Sequence, residues 1–234
     1  MLTNPLEILH EGKSYCVINK PAGIATEKNF THDTVEARAL VQWKRPKSTK
    51  DPFVGIVHRL DRPVSGALLL ARNKSTLVAL NRAFEQKKVE KTYVALTEKP
   101  LPKEAGELRH FIARDKFGRK AIAANRRIPG AKEALLRYRL LSATADRYLW
   151  EITPVTGRFH QIRVQFSSAG APIIGDATYD SPCIHQPNAI CLHAYQLTFP
   201  EPSGDVVTVE APLPAWAQGE KGGRGEGEKG GMGE

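Results

Sequence analysis

One short segment of the chain surrounds a single carboxylate with basic side chains. Within residues 57–66, Asp61 stands between Arg59 and Arg62, and His58 lies shortly before it. A cation within a few ångströms favours the ionised form of a carboxylate. An ionised aspartate at neutral pH is suited to act as a nucleophile or a base, but not as a general acid. The alternative interpretation is an Arg–Asp surface network that only makes a loop rigid.

A second basic cluster has the sequence TGRFHQIR and spans residues 156–163. Thr156 is suited to cap a helix, on which His160 and Arg163 lie three residues apart. A helix start beside Arg158, His160 and Arg163 predicts an anion site, either for RNA phosphate or for a carboxylate. The same pattern also fits an amphipathic helix with a solvated basic face.

A third candidate is Tyr93, which follows Lys91 and Thr92 in a predicted strand. A tyrosine ring is able to stack on a base or to handle a proton, although on a strand it is more often half-buried.

The elements that must position these residues are mostly strands in consecutive runs. Residues 15–19 and 67–71 predict buried strands, Asn73 predicts the cap of a following helix, and Asp33 predicts the cap of a helix within 33–44. Further strands are predicted at 91–97, 107–113, 134–143, 147–153, 192–199 and 206–210, and a helix within 159–169. This order predicts an α+β fold, a single domain with a central mixed, mostly antiparallel sheet flanked by helices.

The overall charge indicates a polyanionic partner. Lys and Arg number 34 against 25 acidic residues among 234, which gives a net charge of +9. Phosphate contacts supply most non-specific nucleic-acid affinity, so a body this basic favours an RNA or DNA partner over a charge that only maintains solubility. Glycine, glutamate and lysine dominate residues 217–234, which predicts a disordered tail behind a folded domain at 1–216.

Several other function classes are excluded. No P-loop, GxGxxG, GxSxG, HExxH or EF-hand pattern occurs, so neither nucleotide-dependent phosphoryl transfer nor a metal site is expected. No apolar run is long enough for a transmembrane helix, and no secretory signal is visible. The cysteines, Cys16, Cys183 and Cys191, are odd in number and show no metal-binding spacing, which predicts a reduced, cytoplasmic protein.

In this order, the motifs closely resemble those of the RluA class of pseudouridine synthases. The resemblance runs over residues 6–216, nearly the whole chain short of the tail. It is carried by INKPAG at 18–23, HRLDRPVSG at 58–66, KTY at 91–93, TGRFHQIR at 156–163, PIIGD at 172–176 with Tyr179, LHA at 192–194 and APLP at 211–214. It implies the pseudouridine synthase fold and a compact form without the S4 RNA-binding module of many relatives.

The resemblance also implies roles for individual residues. Asp61 matches the catalytic aspartate, Tyr93 the tyrosine that stacks on the base, and Arg163 the arginine that pairs with the aspartate. Arg59 matches the residue that can enter the RNA helix where the target base leaves. The predicted RNA-binding set is Arg59, Arg62, His58, Arg158 and His160, and the basic segment 114–134 is a further candidate contact.

The implied reaction converts uridine to pseudouridine within structured RNA, either tRNA or large-subunit rRNA. The N1–C1′ bond breaks, the uracil turns and C5 joins C1′, so no cofactor or metal is expected, and a monomer is the expected state. The alternative is a non-catalytic RNA-binding or RNA-chaperone protein of the same fold. A glycoside hydrolase fits less well, because it normally brings two carboxylates and only one accompanies these motifs.

Overall fold

A mixed sheet of eleven strands forms the centre of the molecule, described here by a computed structural model over residues 4–28 and 33–218. The strands are β1 (Glu7–Glu11), β2 (Tyr15–Lys20), β3 (Gly55–Ile56), β4 (Ser65–Ala71), β5 (Glu90–Thr97), β6 (Ala105–Arg114), β7 (Ala121–Ala124), β8 (Lys132–Ala143), β9 (Tyr148–Pro154), β10 (Leu192–Pro200) and β11 (Val206–Glu210). The helices of the described part are α1 (Val35–Gln42), α2 (Lys74–Glu85) and α3 (Gln161–Ser168). None of these helices is long and apolar enough to cross a membrane.

The strand order confirms the predicted α+β class with a mostly antiparallel sheet. The order is β1-β2-β4-β10-β5-β9-β8-β6-β7, with β3 paired to β4 and β11 to β10. Of the pairs within the described residues, only β4 and β10 run parallel, where Ser65 and Gly66 pair with His193 and Ala194. A Cβ at Gly66, whose φ is +114°, would lie 2.3 Å from the carbonyl oxygen of Ala194. Glycine is therefore required where these two strands meet.

Alternating residues of the central strands pack on opposite faces of the sheet. Leu68 and Leu70 of β4 join the main apolar cluster, which also contains Phe166 of α3. Leu69, between them, packs in the second cluster with Leu80 of α2. Because successive side chains of a strand point to opposite faces, α2 packs on one face of β4 and α3 on the other.

Of the predicted caps of α1 and α2, one is correct and the other is wrong. Asn73 caps α2 as expected, because its side-chain oxygen accepts a hydrogen bond from the Thr76 amide at 2.8 Å. The cap of α1 is Thr34 and not Asp33. Asp33 instead forms an ion pair with Arg38 at 2.6 Å, so its carboxylate is already engaged.

Three strands, β1, β3 and β7, were not predicted. β3 has only two residues and β7 has the sequence AIAA, so neither carries a readable alternation. Of the tail predicted at 217–234, residues 219–234 lie outside the described residues.

Candidate active site

A cleft of about 950 Å³ collects the residues that the motifs pointed to. Asp61, Tyr93 and Arg163 all line it, although they come from the loop before β4, from β5 and from α3. The sheet explains this convergence, because β10 lies between β4 and β5 and brings their ends side by side. Basic side chains outnumber acidic ones on the walls of the cleft. The basic residues are Lys28, Arg59, Arg62, Lys87, Lys91, Arg114, Arg158 and Arg163.

Asp61 contacts a buried arginine. Arg163 Nη1 lies 3.2 Å from Asp61 Oδ2, and the Arg163 side chain is only 6% exposed. The other edge of the guanidinium donates two hydrogen bonds to Asp176, at 2.7 and 2.8 Å. Burial on its own would lower the pKa of Arg163, but the hydrogen bonds and charge of Asp176, followed by Asp61, raise it. Arg163 therefore remains a fixed cation beside Asp61.

The arginines next to Asp61 in sequence do not form its environment. Arg59 pairs with Glu27 at 2.9 Å, and both side chains are more than half exposed. Arg62 donates from Nε to the Gly23 carbonyl at 2.8 Å. The interpretation that Arg59 and Arg62 are the cations beside the Asp61 carboxylate is thus wrong, since both turn to partners in the segment between β2 and α1, while Arg163 reaches Asp61 from α3.

The backbone that follows Asp61 is fastened by a lysine that sequence reasoning did not single out. Lys20 is fully buried, and its Nζ donates to the carbonyls of Pro21 at 2.9 Å, Val64 at 2.7 Å and Arg62 at 3.3 Å. Burial lowers the pKa of Lys20 to about 7, and the charge of Asp61 opposes this shift. The only signal in the sequence was the INKPAG motif, in which Lys20 looks like part of a turn.

Tyr93 lies near the middle of the sheet with its side chain in the cleft. It pairs with Ala194 of β10 and Ile152 of β9 and is 8% exposed. Burial and then the charge of Asp61 raise the pKa of Tyr93. Its hydroxyl is therefore protonated at neutral pH.

The loop before α3 differs from the predicted helix start. α3 begins at Gln161, and the residue before it, His160, has a left-handed backbone with φ 52°. Thr156 is not a cap; its hydroxyl donates to the Gln161 side chain at 2.8 Å, and the Arg158 amide donates to the same oxygen at 2.9 Å. The alternative interpretation, an amphipathic helix with a solvated basic face, is wrong for Arg163, which is buried.

His160 faces Asp61 rather than solvent. Its Nε2 lies 3.7 Å from Asp61 Oδ2, and its Nδ1 lies 2.9 Å from the Tyr179 hydroxyl. Neither Tyr179 nor Asp176 was recognised as a site residue, although both stand in or next to the PIIGD motif. Spacing could not reveal their partners, because both reach the site through the 3-10 turn at Ala177–Tyr179 and its preceding loop.

The remaining residues of the predicted RNA-binding set surround the cleft in different ways. Arg59 and Arg62 are exposed, and Arg158 is half-buried with its Nε donating to the Glu133 carbonyl at 2.9 Å. His58 is bound to β4, because its Nε2 accepts a hydrogen bond from the Leu69 amide at 3.1 Å. Burial, followed by the charge of Lys91, lowers the pKa of His58 to about 3. RNA contacts by these residues stay predictions.

Comparison with known sequences agrees with this geometry. Residues 14–168 match the RNA pseudouridylate synthase family. The chain is 37% identical over 180 residues to ribosomal large subunit pseudouridine synthase D of Borreliella burgdorferi, a match that covers 75% of this chain and 55% of that protein. It is 34% identical over 212 residues to ribosomal large subunit pseudouridine synthase C of Rickettsia bellii, covering 89% and 69%.

Solved structures agree as well. Human RNA pseudouridylate synthase domain containing 4 superposes with a TM-score of 0.74 at 27% identity, over 90% of each chain. Human RNA pseudouridylate synthase domain containing 1 superposes with the same TM-score, over 89% of this chain and 84% of that one. The predicted pseudouridine synthase fold is thereby confirmed. The chain belongs to the RNA pseudouridylate synthase family, whose enzymes isomerise uridine to pseudouridine in RNA.

Proposed function

We propose that this protein isomerises uridine to pseudouridine within structured RNA and that Asp61 starts the reaction. The observation that carries this proposal is the 3.2 Å contact between Asp61 and the buried Arg163 inside a basic cleft that also contains Tyr93. An ionised carboxylate in that position acts either as a nucleophile toward the nucleoside or as a base toward the ribose.

The chemistry requires little more than one carboxylate and a place to hold the base. The N1–C1′ bond breaks, the freed uracil turns, the C5–C1′ bond forms, and the proton leaving C5 is balanced by the one gained at N1. No group enters from outside. Arg163 orients Asp61 through a charged contact of 3.2 Å between Nη1 and Oδ2.

Tyr93 provides an aromatic surface for the uracil. A ring that is buried in the sheet but lines the cleft holds a flat base without large changes of its own conformation. Because its hydroxyl is protonated, Tyr93 is better suited to donate a hydrogen bond to the uracil than to accept a proton from it.

The cleft reaches an RNA base only if that base leaves its stack, which costs a few kcal/mol. We assign Arg59 to the gap that the departing base leaves in the RNA stack. Its ion pair with Glu27 is exposed on both sides, and such surface pairs contribute little free energy, so RNA phosphate or a base can displace Glu27.

Large-subunit ribosomal RNA is the substrate that the names of the relatives support, and a tRNA stem-loop is the second candidate from the sequence. We further propose that the protein acts as a monomer in the cytoplasm.

A direct test uses purified protein and unmodified transcripts of tRNA and of large-subunit rRNA domains, without cofactor or metal. Carbodiimide-based mapping should show a pseudouridine with wild type and none with the isosteric D61N. A wild type that modifies no transcript, or a D61N variant with full turnover, would rule the proposal out. Size-exclusion chromatography with light scattering tests the monomer.

A further inference from the structure

The two side chains that contact Asp61 both lie at the same carboxylate oxygen. Arg163 Nη1 is 3.2 Å from Oδ2, and His160 Nε2 is 3.7 Å from that atom. Within residues 4–28 and 33–218, no hydrogen bond is formed with Oδ1 of Asp61. Among the described residues the carboxylate is therefore held asymmetrically: Oδ2 is contacted by two side chains, and Oδ1 has no hydrogen-bond partner.

The orientation of His160 is fixed by Tyr179. The Tyr179 hydroxyl accepts a hydrogen bond from the Ala121 amide at 2.7 Å and lies 2.9 Å from His160 Nδ1. Because the backbone amide supplies one proton, the hydroxyl's own proton is free to go to Nδ1. We assign Nδ1 as the acceptor of this pair, which places the single proton of a neutral imidazole on Nε2, the nitrogen 3.7 Å from Asp61 Oδ2.

The surroundings of His160 favour this neutral form. Burial is the largest influence and lowers the pKa of His160. Asp61 and Asp176 raise it, while Arg163 and Arg114 lower it. The ring is also stacked on Phe159, with centroids 3.8 Å apart.

We propose that His160 is a positioning residue for Asp61: its Nε2–H and Arg163 together hold Oδ2, which leaves Oδ1 as the oxygen that meets the nucleoside. This inference rests on the proposed function. The present distance of 3.7 Å is longer than a hydrogen bond, and such contacts commonly tighten when substrate fills a site. With a side chain only 13% exposed, His160 is better placed for this role than for the RNA contact that the sequence predicted.

A matched pair of variants separates hydrogen-bond donation from simple packing. In H160Q the amide nitrogen can reach the position of Nε2, whereas H160L fills the space without a donor. Neither Gln nor Leu is branched at Cβ, so the left-handed backbone at position 160 imposes a similar strain on both variants. On a transcript that the wild type modifies, we expect H160L to lower the single-turnover rate by about 10- to 100-fold with little change in KM. H160Q should be about 10-fold faster than H160L.

Y179F tests whether Tyr179 acts through His160. It should slow wild type but not H160Q, because Gln has no tautomer to fix. Thermal melting of each variant identifies losses that come from unfolding.

The inference would be overturned if H160L matched wild type, or if H160Q were as slow as H160L at equal melting temperature. An active wild type with an inactive D61N in the same assay keeps the proposed function in either case. An inactive wild type would instead remove the proposed function itself.

Discussion

Arg163 donates two parallel hydrogen bonds to Asp176, at 2.7 and 2.8 Å, and so has one edge of its guanidinium left for the cleft. Asp176 is 1% exposed, which makes this pair a fixed part of the interior. A planar guanidinium bound in this way cannot rotate, and its direction determines where Asp61 finds its cation.

Neutralising Asp176 should therefore damage both stability and activity. In D176N, Arg163 stays buried with half of its counter-charge gone, and breaking a buried pair costs about 3–5 kcal/mol. We expect a fall of that order in the free energy of unfolding, measured with urea, together with a slower single-turnover rate. The control is D180N, at an exposed left-handed position that asparagine tolerates. Equal unfolding curves for D176N and wild type would contradict this account.

A lysine at position 163 should not restore the function of Arg163. One ammonium cannot provide both the two-point contact with Asp176 and the contact with Asp61. We expect R163K to lower the turnover rate by about 100-fold or more while RNA affinity changes little. R109K, on the exposed face of β6, controls for the chemistry of the exchange. If R163K kept more than half of the wild-type rate, the geometric role would be wrong.

Lys20 should make stability depend on pH on the alkaline side of neutrality. Its pKa is about 7 in the folded protein against 10.5 normally, because burial disfavours the charge. Between these values the unfolded chain binds more protons, so the contribution of Lys20 to stability rises with pH. It is lowest below pH 7, where both states are protonated.

The measurement is urea unfolding of wild type and K20M at pH 7, 8 and 9. We expect K20M to be less stable throughout, since the carbonyls around Nζ lose their hydrogen-bond donor. The gap should widen by on the order of 2 kcal/mol from pH 7 to 9. A gap that stays constant would mean that Lys20 has the same charge in both states.

The basic segment predicted to contact RNA includes the turn between β6 and β7. Phe117 at this turn is 69% exposed, with the charges of Lys116 and Arg119 next to its ring. Reversing Lys116, Arg119 and Lys120 to glutamate should weaken RNA binding and reduce its salt dependence by about one unit of slope per lost contact. Reversal of Arg137, exposed on β8, is the control. Unchanged affinity and slope in the turn variant would remove this segment from the interface.

Local patterns in the sequence predicted most of the sheet, because long buried strands such as β4 carry their own signal. The pairing of Asp61 with Arg163 was predicted from the resemblance to the family, and the structure shows that contact. The environment of Asp61 was harder to predict. Arg59 and Arg62 are its neighbours in sequence, yet their side chains find partners at Glu27 and Gly23.

The residues that were missed act over long distances in the chain. Lys20 binds carbonyls more than forty positions away, and Tyr179 joins Ala121 to His160. No spacing rule contains such contacts. The left-handed backbone of His160, which turns its ring toward Asp61, also has no signature in residue types.

The position of β10 has a consequence for the order in which the enzyme is made. In the described part of the chain, β10 joins β4, which follows Asp61, to β5, which carries Tyr93, and β10 leaves the ribosome long after both strands. A nascent chain can build β1-β2-β4 and β5-β9-β8-β6-β7 as separate units, each with an unpaired edge. Insertion of β10 between them would join the parts that carry Asp61 and Tyr93, so we expect a ribosome-bound chain to show no activity until that strand has emerged.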